Sequence, residues 1–215
     1  KSGLLRNTME NPRMSNERIT GLKSPAGNVI TPAGRLCYPS LFKATLPQGE
    51  TDQSKARYQT SMVFPKAADL KLLSTLVEEA AEGAWPKYKE KKIKVKKPFL
   101  KTEDSPRIGV DAEEFPVLIR CNTPSKPQVI RADKSAVNED KAEEVYAGRW
   151  ARASLRAYTY DHPTGGKGVS FGLQNVQLLQ HDESLGAMRP AAEDEFEAAE
   201  IEGGDGAKSA DSLFD

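Results

Sequence analysis

The residues best suited to chemistry lie in the segment WARASLRAYTY, where Arg152 and Arg156 interleave with Trp150, Tyr158 and Tyr160. In an extended chain successive side chains point to opposite faces, so these five share one face with Ser154. Guanidinium groups neutralise phosphates, and flat rings stack on bases whatever their identity. Arg149 and Lys167 flank the set. Further along the surface chemistry, Pro86 to Lys101 carries eight lysines against one acid, Glu90, with Lys94, Lys96 and Lys97 near its centre. Such a run is a solvated charged segment, and on a basic body it also attracts phosphates. The opposite arrangement would bury the rings and turn the alanines to solvent. The two arginines argue against it, because a buried Arg needs a partner and this face offers none.

Other chemistries are poorly supplied. Cys37 and Cys121 are the only cysteines, and His162 and His181 the only histidines. Without CxxC spacing they make no zinc site, and they offer no ready Cys/His or Ser/His/Asp arrangement. One disulfide is possible in principle, but free buried thiols in a reducing cytoplasm are the favoured state. Glu103, Asp104, Asp111, Glu113 and Glu114 cluster in a polar loop without ligand spacing. A metal-dependent nuclease built on Asp104, Asp111, Glu113 or Glu114 is an alternative, but such a site needs carboxylates on rigid elements. The expectation is therefore a binder, with no metal, cofactor or catalysis.

The zero net charge conceals two opposed regions. Residues 186–215 hold nine acids and two bases, which leaves 29 bases and 22 acids in residues 1–185. A body of +7 suits a polyanion, and a tail of −7 suits a competitor for the same surface. No apolar run approaches a membrane span and no signal-peptide core opens the chain, so a cytoplasmic protein is expected. Met9 or Met14 is a candidate natural start.

The elements that must position these groups read mainly as β. GRLCYPSLFKA (34–44) and ARYQTSMVFP (56–65) are strands, with Pro39 marking an edge or bulge. KAADLKLLSTLVEEAAEGAW reads as a helix with Leu70, Leu73, Leu76, Val77 and Ala80 in one stripe, Asp69 in its first turn, and Gly83 and Pro86 ending it. Trp85 caps the core. FPVLIRCN (115–122) is a strand to which PQVIRA pairs, and HPTGGKG turns the chain into a last strand beginning Val169, Phe171, Leu173. The expectation is an OB-fold-like five-stranded Greek-key barrel with one inserted helix, occupying 21–185. Residues 1–20 form a flexible leader, and 186–215 a disordered acidic tail with Leu213 and Phe214 as its apolar pair.

GRLCYPSLFKA and VYAGRWARASLRAYTYDHPTGGKGVSFGLQNVQLL together resemble a phage family of single-stranded-DNA-binding proteins once catalogued as a domain of unknown function. VYAGRW and GVSFGLQNVQ are the most specific parts. The resemblance implies an OB-fold that coats single-stranded DNA in phage replication, recombination and repair, in the host cytoplasm, with Trp150, Arg152, Arg156 and Tyr158 in the matched segment. It also implies an acidic tail that addresses replication or recombination proteins. Here Phe214 is penultimate in DSLFD, which departs from tails ending on the aromatic. A protein–protein adaptor is the other alternative, and a homo-oligomer is compatible with the sequence.

Overall fold

The computed structural model describes residues 19–47 and 49–185. The expectations for the N-terminal leader and the acidic tail, Leu213 and Phe214 included, lie outside the described residues. The fold is mainly β, with ten strands and one α-helix among the described residues.

Five strands carry the architecture: β3 (Gly34–Thr45), β4 (Arg57–Phe64), β7 (Val117–Thr123), β9 (Trp150–His162) and β10 (Gly166–Leu178). β3 pairs antiparallel with β4, and β4 with β7 from Tyr58↔Thr123 to Phe64↔Val117. β7 runs parallel to β10 at Phe171↔Cys121, and β10 folds back on β9. β9 then pairs with β3 at Gly34↔Ala151 and Arg35↔Trp150, so the pairings return to their starting strand. Short strands β1 (Leu22–Lys23) and β2 (Val29–Ile30) extend the outer side of β9.

Period-2 alternation decides the interior. Ala151, Ala153 and Leu155 of β9 meet Val169, Phe171, Leu173, Val176 and Leu178 of β10, all buried. Helix α1 (Lys71–Ala84) closes this core with Leu73, Val77 and Ala81, and Asp69 accepts a hydrogen bond from the Lys71 amide at its start (2.9 Å). Ala151 and Ala153 keep the inner face of β9 low where α1 packs over it. Trp85 is partly buried against the same core. A second apolar cluster lies behind β3, β4 and β7, built on Cys37, Val63, Phe115, Leu118 and Trp150. With apolar cover on both sides, Met62, Val63 and Phe64 are all buried, and β4 is sealed on both faces at this end.

Two expectations need correction. PQVIRA does not pair with FPVLIRCN; its strand β8 (Gln128–Ile130) runs parallel to β10. Both edges of β7 are already occupied, one by β4 and the other by β10 and β6 (Phe99–Lys101). The lysine-rich stretch is also more than a loop, because β5 (Val95–Lys96) pairs with Lys167 and Gly168.

Candidate nucleic-acid interface

The β9–β10 turn is held by His162, whose Nδ1 accepts from the amides of Thr164 (3.3 Å) and Gly165 (3.0 Å), while Gly166 supplies φ +74°. The register sets Tyr160 opposite Gly168, Tyr158 opposite Ser170 and Arg156 opposite Gly172. The outer face of β10 is thus almost bare of side chains here. The Tyr160 ring lies across Gly168, and Tyr158 leans over Gly172. Both rings stay open to solvent, Tyr158 at 43% and Tyr160 at 37% exposure. Arg156 is oriented by Asn28, to whose Oδ1 its Nε donates (2.7 Å). Lys96 pairs in register with Gly168, which puts its exposed side chain on the same face as Tyr160, and Lys94 is exposed two residues earlier. Arg152 is half-buried on the same side of β9.

Four expected site residues stand elsewhere. Trp150 is buried at 9% exposure, against Phe115 (ring centroids 6.0 Å apart), and its Nε1 donates to Asp182 (2.6 Å). The chain after β10 folds back over this end of the strand, and Arg35 reaches the same carboxylate (3.6 Å). Arg149 is buried, donates to the Leu179 carbonyl (2.8 Å) and contacts His181, and loss of water lowers its pKa. Lys167 sits on the opposite face from Tyr160, over the Trp85 ring at 5.5 Å and ion-paired with Asp161. Lys97 pairs with Glu78, which also binds Lys89 (2.8 Å) and accepts from the Tyr88 hydroxyl (2.5 Å). These bonds hold the Glu78 carboxyl down to about 2.

The same outer face continues across the molecule. Gly172 is in register with Asn122, and Asn122 with Gln59. There the surface sinks into a groove of about 620 Å³ lined by Tyr38, Gln59, Asp104, Arg107, Arg120 and Asn122, among others. Tyr38 is 55% exposed and takes φ +49° where β3 bulges between Cys37 and Ser40. Arg107 stands on a short turn anchored by buried Ile108. Neither arginine has an ion-pair partner among the described residues. The Cys121 thiol lies on the core side of β7, beneath the groove, and burial pushes it up to about 12, which keeps it inert. Sequence reasoning missed Tyr38, Arg107 and Arg120. Arg120 had a signal, as the one cation inside the apolar run FPVLIRCN, and Tyr38 had another in the adjoining Pro39. Among the described residues no group of three or more His, Cys, Asp or Glu side chains is placed to hold a metal ion.

A mainly β chain that sets arginines beside exposed tyrosines has the make-up of a nucleic-acid-binding protein. More narrowly, residues 27–206 match the family model described as Enterobacter phage Enc34, ssDNA-binding protein, and the chain belongs to that family. Among solved structures it is similar to the single-stranded DNA-binding protein from bacteriophage Enc34 in complex with ssDNA. That match has a TM-score of 0.59 and 20% identity, covering 76% of this chain and 92% of the other. It is also similar to gp2.5, a single-stranded DNA binding protein encoded by bacteriophage T7, with a TM-score of 0.51, 15% identity, and 79% and 97% coverage. No curated protein matches the sequence. No described helix is long and apolar enough to cross a membrane.

Proposed function

We propose that the chain coats single-stranded DNA without chemical turnover, laying the strand across the outer face of β9, β10 and β7. The observation that carries this reading is the Tyr158–Tyr160 pair, spread over a strand whose facing residues are Gly168, Ser170 and Gly172. Bare backbone lets the rings settle onto the strand with their exposed sides open for bases to stack, while Arg156, Lys96 and Lys94 meet the phosphates. Family membership supports DNA as the polyanion and a place in phage replication, recombination or repair, in the host cytoplasm. The circuit β3–β4–β7–β10–β9–β3, with its one parallel step, supports an OB-type barrel. Trp150, Arg149 and Lys167 are left to the architecture.

The test is a gel shift with single- and double-stranded DNA of equal length over a range of salt. Single strands should bind preferentially. With about four phosphates neutralised, the log–log salt slope should lie near −3, at roughly −0.7 per contact. Equal retention of both forms, or a flat salt response, would exclude this mode of binding.

A further inference from the structure

The Tyr38 groove differs from the hairpin platform in being concave, and at about 620 Å³ it has the size of a small-ligand pocket. One wall is the turn carrying Asp104 and Arg107; Tyr38 forms the other, with Arg120 and Asn122 on the floor. A base drawn into such a groove loses water at its edges, and each edge atom then needs a protein partner. The Asn122 and Gln59 amides both donate and accept and so serve any base, but the charged partners, which make the stronger hydrogen bonds, are of two kinds. The Asp104 carboxylate only accepts hydrogen bonds, and the two guanidinium groups only donate them. Guanine alone presents paired donors on one edge (N1–H and the N2 amino group) and paired acceptors on another (O6 and N7). Adenine and cytosine lack the paired donors, and thymine has a single N–H.

We propose that the groove takes one base from the bound strand, stacks it on Tyr38, and fits guanine best, with Asp104 on its Watson–Crick edge and Arg107 or Arg120 at O6 and N7. The inference rests on the single-strand reading and adds a preference at one position to otherwise sequence-tolerant binding. The left-handed backbone at Tyr38 belongs to it, since the bulge lifts this ring out of the strand's alternation and into the groove.

The experiment measures fluorescence anisotropy of the full chain with an all-thymine strand and with strands carrying one internal dG, dA or dC. The single-dG strand should bind about tenfold tighter than the others, the size of one good bidentate base contact. Asp104→Asn should reduce the dG-to-dT affinity ratio to about one, while Glu103→Gln, which removes a neighbouring carboxylate that pairs with Lys101 outside the groove, should keep the ratio. Equal affinities for the four strands, or an undiminished ratio in Asp104→Asn, would overturn the guanine inference and leave the single-strand reading standing. Failure of the unaltered chain to bind any of the strands would overturn both.

Discussion

The same ring chemistry has opposite consequences at Tyr158 and Trp150, eight residues apart on one strand. Tyr158 faces solvent over Gly172, so Tyr158→Ala should weaken single-strand binding by about 1–3 kcal/mol and leave the melting temperature nearly unchanged. Tyr160→Ala should behave alike. Trp150 fills the second core and donates to Asp182, so Trp150→Ala should instead destabilise the fold by about 3–5 kcal/mol. Leu155→Ala, fully buried on the inner face, belongs with it at about 2–5 kcal/mol. Thermal melts beside binding titrations separate the two groups; a Tyr158→Ala protein that melts early would place that ring in the core. Alternation along 151–160 was legible because one face carries small apolar groups and the other cations and tyrosines. Trp150 was not, because what buries it is Asp182 and the segment after β10, and no local pattern reports a chain folding back from thirty residues away.

At the scale of elements, the hairpin and the lysine-rich segment act together through β10. Gly168 stands between Tyr160 and Lys96, and a methyl group there would overlap the Tyr160 ring. Gly168→Ala should therefore push the ring aside and weaken DNA binding while the hairpin still forms, because the group displaced is the free end of a side chain. The lysine segment is stapled by Glu78 to α1. Hydrogen bonds from Lys89, Lys97 and Tyr88 lower the Glu78 pKa to about 2 from its ordinary 4.5. A depressed carboxylate stabilises the folded arrangement fully above its unfolded value and loses that contribution as pH falls through the folded one. Amide protection across residues 87–97, taken relative to the intrinsic exchange rate at each pH, should accordingly fall between about pH 4.5 and about pH 2, and in Glu78→Gln it should already be low at neutral pH. Exchange that ignores both changes would mean the staple holds nothing. The long strands and α1 were readable from period and composition. The partners of β5 and β8 were not, since both depend on which edges of β7 and β10 remain free, which only the assembled sheet decides.

For the molecule as a whole, the division of charge sets the regulation to be expected. Residues 1–185 carry +7 and residues 186–215 carry −7. The point from which the acidic segment departs is fixed: the Leu185 amide donates to the Ala147 carbonyl (2.8 Å), and Asp182 is held by Trp150 and Arg35. That root lies at the Trp150 end of β9. Tyr160 is ten residues along the strand, about 33 Å away at roughly 3.3 Å per residue. Thirty residues can span at most about 100 Å, so the acids can reach both the hairpin face and the groove. We propose that they compete there with DNA, which displaces them because its charge is denser and its bases stack. Truncation after Leu185 keeps the described contacts of the root, and a melting curve of the truncated chain beside the titration checks that its fold is intact. The truncation should raise single-strand affinity most at low salt, where attraction between body and tail is least screened. We propose further that Leu213 and Phe214 address replication or recombination proteins, so Phe214→Ala, which keeps the charge, should spare DNA binding in the same titration and weaken their capture in a pull-down. A truncated chain that binds DNA no more tightly than the full chain at low salt would show that the acids do not occupy the basic face.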